Sequence, residues 1–248
     1  MRNKFYKYKA VSLDCYGTLI DWESGIWRAL KPLMLANRSS RFEKMDLLRQ
    51  FAKFETKQQQ LTPKMCYSEI LEIVHQNIAS HNKLKTNDFL DKKFSASISE
   101  WEPFTDSKIA LRMIKSKFKI IILSNVHLEG FYKSQGKLDV DFDAVYTAED
   151  IGSYKPDLRN FRYLCDHIRD IFGFEKTEIL HVAQSLYHDH EPANKFGLDN
   201  VWIDRNNQNS EVGKPSHKKW GATCYVSGKP KINFVFSSMR EFAQAMCQ

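Results

Sequence analysis

The 248-residue chain has no apolar run approaching the roughly 18–20 residues that a membrane-crossing helix requires. Its most apolar stretch, Ile120-Ile121-Ile122-Leu123, is short and reads as a buried strand. Cysteine is scarce. Cys15, Cys66, Cys165, Cys224 and Cys247 are odd in number and widely spaced, and no CxxC occurs, which argues against a disulfide framework or a zinc site and for free thiols. The basic start, Met1-Arg2-Asn3-Lys4-Phe5-Tyr6-Lys7, has no apolar run behind it, so no secretory signal is expected and the cytoplasm is the expected compartment. There is no internal repeat, no low-complexity segment and no block of like charge. The net charge of +7 comes from lysines scattered along the chain, a pattern that suits a solvated basic surface and small anionic molecules; nucleic-acid and membrane partners are not expected.

What is present is the balance of an ordinary globular chain, 42% hydrophobic and 27% charged, long enough for one core with a smaller inserted domain. Residues 8–13 read as a strand that delivers Asp14 at its end, followed by a turn at Gly17. From about 22 to 100 glycine nearly disappears after Gly25, and apolar residues recur at helical spacing, as in Leu47, Leu48, Phe51 and Phe54 (with Glu55 next to them), then Ile70, Leu71, Ile73 and Val74. Several helices and no strand are expected there, with breaks at Pro63 and at 82–87. After Pro103 strands and helices alternate. Helices are expected at 108–116, near 128, at 159–171 and from 189 to 196; strands at 119–123, 144–146, 179–183 and 200–203. The tail adds strands near 222–226 and 234–236 and a helix at 239–246. This alternation predicts an α/β fold, a three-layer Rossmann-like parallel sheet core of residues 1–20 and 104–248 with an inserted helical cap at 21–103.

In such sheets ligands bind where the carboxyl ends of the strands open. Four polar clusters fall at such ends: Asp14, Ser124-Asn125, Tyr154-Lys155-Pro156-Asp157, and Gln184-Ser185 running to Asp189. Asp14 reads as a nucleophile, a metal ligand or a turn cap. Ser124 and Asn125 can hold an anion or cap the next helix. Lys155 beside a carboxylate would keep it ionised and lower its pKa; alone it would be a surface lysine. Asp189 caps a helix or activates a water. His188 and His190 read as local polar groups.

In this order the clusters resemble the four motifs of the haloacid dehalogenase superfamily. Asp14-Cys15-Tyr16-Gly17-Thr18-Leu19-Ile20-Asp21 is similar to its first motif, Leu123-Ser124-Asn125 to the second, Tyr154-Lys155-Pro156-Asp157 to the third and residues 181–189 to the fourth. The helical block resembles that superfamily's cap. Its phosphatase branch carries a second aspartate two residues after the nucleophile and an acidic magnesium ligand at the start of the fourth motif. Here those positions are Tyr16 and Gln184, and the first motif looks instead like that of the type II (L-)2-haloacid dehalogenases, which need no metal. The resemblance implies a hydrolase that removes halide from a short 2-haloalkanoic acid through an ester on Asp14, with no cofactor and no metal. It implies Lys155 as the partner of Asp14, Asp189 as water activator, Thr18, Ser124 and Ser185 around the nucleophile and the substrate carboxylate, and Tyr16 and Asn125 on the halide side. A cap arginine that binds halide falls on Arg49. The chain departs from the family pattern at Phe161, Gln184, Leu186 and His188, where characterised dehalogenases carry tyrosine, serine, asparagine and tryptophan. Two alternatives stand beside this expectation, a phosphatase acting on a small phosphate ester and an inactive member of the fold. The substrate's identity is not fixed by the sequence, and a homodimer is left open.

Overall fold

In a computed structural model of the chain, residues 4–39, 42–205, 228 and 230–248 are described. Strands β1 (Ala10–Leu13), β2 (Lys119–Ser124), β3 (Ala144–Thr147), β4 (Ile179–Ala183), β5 (Asp199–Ile203) and β6 (Phe234–Phe236) form one parallel sheet in the order β3-β2-β1-β4-β5-β6. The central strands are covered on both faces, so they read as apolar runs. In β2 the side chains alternate between two cores: Ile120 and Ile122 join one, Ile121 and Leu123 the other. Helices α5 (Ser107–Lys115) and α10 (Met239–Cys247) pack together on the first face; α8 (Leu158–Phe172) and α9 (Glu191–Phe196) lie on the second. The chain order reverses between β1 and β4, where Leu13 lies beside both Ile122 and Val182. The crevice at the carboxyl ends opens there.

Between β1 and α5 run four α-helices, α1 (Trp22–Ala36), α2 (Lys44–Leu61), α3 (Tyr67–His81) and α4 (Asp88–Ala96), and no strand is found among the described residues of this block. Their ends follow local chemistry. Asp21 accepts from Ser24 N at 3.0 Å to cap α1, and Asn87 accepts from Leu90 N at 3.0 Å to cap α4. α2 stops before Pro63 and α3 before the 82–87 stretch. Where the chain leaves and re-enters the core, Ile20 and Pro103 form an antiparallel bridge.

Two details differ from the sequence reading. A one-turn helix α7 (Ala148–Ile151) follows β3, held by Thr147 and Asp150 in a reciprocal capping box. The helix expected from Asp189 opens instead as a π-type turn, Leu186–His190. The amides of Asp189 and His190 both reach the Ser185 carbonyl at 3.3 Å, and Pro192 has no N–H to continue a regular ladder. The strand expected at 222–226 lies outside the described residues.

Candidate active site

Asp14 follows β1 and keeps that strand's pairing, its amide donating to Val182 O at 3.0 Å. The chain then turns back within a few residues: Gly17 N donates to Ile20 O at 2.8 Å, and Gly17 sits at φ +103°. Only glycine adopts that angle without strain, and an added Cβ would lie 3.3 Å from Gln184 Oε1. The turn carries Thr18 back to Asp14. Its hydroxyl donates to Asp14 Oδ2 at 2.7 Å and accepts from Gln184 N at 2.9 Å, so Thr18 orients Asp14 and has no donor left for a substrate.

Lys155 comes from the loop between α7 and α8. The Asn125 side chain fixes its backbone from both sides, accepting from Lys155 N at 2.7 Å and donating to Lys155 O at 3.0 Å. Asn125 thus holds the lysine with its oxygen and one N–H, and lines the cleft with its second N–H not engaged in these bonds. Lys155 is 1% exposed. Its three N–H groups go to Asp14 Oδ1 at 2.9 Å, Asp189 Oδ1 at 2.7 Å and Leu123 O at 2.9 Å. Asp189, brought in by the π-type turn, also meets His181 Nε2 at 3.0 Å, and Ser12 Oγ meets the other ring nitrogen at 2.9 Å. Phe161 packs edge-on against His181. His181 was missed in the sequence reading; the signal was a polar residue inside the apolar β4 run.

Two carboxylates share one ammonium, and their proton affinities separate. Burial pushes Asp14 above the usual carboxylate range. Lys155 pulls it back without offsetting burial, and the charge on Asp189 adds to the rise. The expected lowering by Lys155 is present, and the net position of Asp14 lies above the ordinary value because burial and Asp189 exceed it. Asp189 is the member held low: burial opposes its ionisation, but Lys155 and His181 outweigh burial. Burial brings His188 and His190 down to about 4, which leaves both neutral near pH 7.

Above these groups lies a cleft of about 610 Å³ including its mouth, lined on the core side by Asp14, Tyr16, Ser124, Asn125, Lys155, Ser185, His188 and Asp189. Ser124 Oγ and Asp189 Oδ2 are buried with no hydrogen-bond partner among the described residues, so each has hydrogen-bonding capacity to spare. The Tyr16 hydroxyl turns away to Ser134 Oγ at 2.8 Å, and its ring meets Trp101 edge-on. Ser185 Oγ accepts from His188 N at 3.1 Å. The cap side is Trp22 from α1, Phe51, Ala52, Glu55 and Gln59 from α2, Tyr67 from α3, and Trp101. Tyr67 donates to Glu55 Oε1 at 2.5 Å, and burial raises Glu55 to about 7.

Arg49 does not line this cleft. It stands on α2 with 45% of its side chain exposed, 3.4 Å from Asp46. The helical phase explains the difference: Phe51, Glu55 and Gln59, four residues apart, face the cleft, and Arg49 lies off that stripe. The donor set also does not fit a divalent cation. Lys155 Nζ bridges Asp14 and Asp189, the neutral Gln184 stands where an acidic ligand would be needed, and no group of three ligating side chains occurs among the described residues.

Comparison with known proteins agrees with this geometry. The sequence model of the haloacid dehalogenase-like hydrolases matches residues 8–197. (S)-2-haloacid dehalogenase 4A of Burkholderia cepacia is 28% identical over 211 residues, 79% of this chain and 83% of that protein. Among solved structures, a dehalogenase with an intermediate complex superposes with a TM-score of 0.77 at 20% identity, covering 98% of each chain. The L-2-haloacid dehalogenase of Xanthobacter autotrophicus with chloropropionic acid covalently bound gives 0.74 at 15% identity, covering 96% of this chain and 97% of that one. These two likenesses concern the fold. With the four strand-end clusters converging on one cleft, the family match places the chain among the haloacid dehalogenase-like hydrolases.

Proposed function

We propose that the protein hydrolyses the carbon–halogen bond of a short 2-haloalkanoic acid, with Asp14 as nucleophile. The observation that carries this reading is an oriented carboxylate at the floor of the cleft whose neighbour two residues on is Tyr16. Burial pushes the Tyr16 phenol far above its usual pKa and its hydroxyl faces away, so the position two residues after Asp14 supplies no acid to protonate a leaving group. Halide needs none. A second, metal-dependent phosphoryl chemistry finds no matching ligand set. We take residues 1–20 and 104–248 as the catalytic core and 21–103 as the cap.

Asp14 attacks carbon 2 from the side opposite the halogen. The new C–O bond forms as the halide leaves with the bonding electrons, which inverts the carbon and gives an ester on Asp14. Lys155 and Thr18 hold the carboxylate in line. Asp189 Oδ2, free and held ionised, accepts a hydrogen bond from the incoming water and takes up its proton. The hydroxide adds to the ester carbonyl, the acyl C–O bond breaks, Asp189 returns its proton to the departing alkoxide, Asp14 releases the remaining proton, and the 2-hydroxy acid leaves with an oxygen that came from Asp14. Ser124 and Ser185 bind the substrate beside the nucleophile.

The test is a single turnover of 2-chloropropionate in ¹⁸O-labelled water, with peptide mass spectrometry of residue 14. The label should enter the Asp14 carboxylate and be absent from the first product, and Asp14→Asn should release no halide. Label found in the product alone would make Asp14 a base and overturn the mechanism.

A further inference from the structure

The cleft contains three carboxyl groups, Asp14, Asp189 and Glu55, and Lys155 is the one lysine or arginine among its described lining residues. Lys155 has three N–H donors, and all three are taken by Asp14, Asp189 and the Leu123 carbonyl. A substrate carboxylate entering this cleft therefore meets no cationic donor and faces at least one uncompensated negative charge. At the low dielectric of a closed site that repulsion is severe. What binds an anion here is neutral donors: the Ser124 hydroxyl on the core side, and a second donor on the cap side that the stripe on α2 provides. Glu55 faces the cleft one turn from Gln59, and Tyr67 fixes its orientation from α3 through Oε1. The other carboxyl oxygen is left to carry a proton towards an occupant.

Resting on the dehalogenase reading, we propose that Glu55, as the neutral acid, is the cap residue that receives the substrate's carboxylate, so that the site takes short monocarboxylates only while Glu55 holds its proton. In ionised form the same residue repels the ligand. The groups facing Glu55 do not supply the switch themselves. Tyr67, Tyr154 and Tyr16 have phenols pushed further above their ordinary values, and His188, brought down to about 4, is neutral throughout the relevant range. Across the cleft Lys155 stays charged and Asp189 stays ionised. Asp14 is the one other carboxyl whose affinity is raised, and Asp14→Asn removes it as a titrating group. Glu55, raised to about 7, titrates where the others do not.

The experiment is calorimetric titration with propionate, which is ionised at both pH 6 and pH 8 and cannot react, in the Asp14→Asn protein. Halide release from 2-chloropropionate by the parent protein is measured alongside. Propionate should bind about tenfold more weakly at pH 8 than at pH 6, the fraction of protonated acid falling by that factor across a midpoint near 7. Adding Glu55→Gln should bring the ratio close to one. Adding Tyr67→Phe removes a hydrogen bond that favours the ionised form and should move the midpoint to higher pH. A ratio near one in the parental Glu55 background, or a ratio that persists in Glu55→Gln, would overturn the proposal. Halide release with no pH effect on binding would leave the dehalogenase reading standing and the Glu55 subsite disproved. Tenfold pH-dependent binding without halide release at either pH would do the reverse.

Discussion

Lys155 gives all its hydrogen bonds to the floor of the site, and this makes it the most sensitive single position. Replacing it by the isosteric, apolar methionine leaves Asp14 and Asp189 buried without their shared ammonium, while His181 remains against Asp189. Removing one partner from a buried ionic group costs roughly 3–5 kcal/mol. Lys155→Met should lose that stability at neutral pH and recover part of it as the pH falls, because protonating the carboxylates removes their repulsion. Halide release should fall more than a hundredfold, since Asp14 then keeps its proton at working pH. Urea unfolding at pH 5 and pH 8 checks the first expectation; an equal loss at both values would mean the lysine is a packing element and not a counter-ion. The residues of this floor were legible because each interrupts an apolar strand at its carboxyl end: Asp14 after β1, Ser124 at the end of β2, and Asp189 just beyond β4. His181 was hidden by sitting inside a strand, where the same residue type is more often a packed neutral ring. Glu55 was hidden by its company: it follows Leu47, Leu48, Phe51 and Phe54 at helical spacing, and periodicity says which face is buried but not whether that face is a core or a cleft.

At the scale of elements, the joint between cap and core depends on how closely α1 approaches Trp101. A Cβ built on Gly25 would lie 2.3 Å from Trp101 Cδ1 and 2.5 Å from Cγ, closer than packed atoms come. The indole has little room to retreat. It is 1% exposed, its ring meets Tyr16 edge-on and its N–H reaches Ser97 Oγ at 3.3 Å. Gly25→Ala should therefore destabilise the protein by about 1–3 kcal/mol, the usual cost of overpacking, despite alanine being the better helix former. Because Tyr16 and Trp101 both line the cleft, KM for a haloacid should rise as well. A urea midpoint equal to the parent's would show that α1 moves away without cost. The helices and strands themselves could be read from periodicity because most are long and strongly patterned. What escaped were short pieces decided by side-chain-to-backbone bonds: α7 by the Thr147–Asp150 box, and the π-type turn by the Ser185 carbonyl accepting two amides. Arg49 escaped for the opposite reason. The motif spacing within the cap is loose, and a shift of two residues along α2 turns a side chain by more than half a circle, from the cleft to solvent.

For the whole molecule, placing a site between a charged floor and a buried cap carboxyl links activity to stability through protons. Glu55 is raised to about 7 on folding, so the native state binds more protons than the unfolded chain between the ordinary glutamate range and pH 7. Stability from this group is present in acid and lost as the pH rises through that window. His190 works in the opposite sense. It is fully buried, its Nε2 meets Ala183 O at 2.9 Å, and its pKa is brought down to about 4. The unfolded chain binds the extra proton between about 4 and 6.5, so this contribution is lost as the pH falls. The two effects overlap in range and partly cancel in the parent protein, which hides both from a single stability curve. Differences between variants separate them. Relative to the parent, Glu55→Gln should gain stability steadily from pH 4.5 to 7, by about 1–3 kcal/mol, and hold the gain above 7. His190→Asn should behave as a mirror image, with its disadvantage largest at neutral pH and shrinking on acidification. Urea unfolding of the three proteins at pH 4.5, 5.5, 6.5 and 8 gives both differences. If the Glu55→Gln curve runs parallel to the parent's, Glu55 titrates in the folded protein where it does in the unfolded chain, is ionised at neutral pH, and cannot serve there as a neutral donor to an anionic substrate.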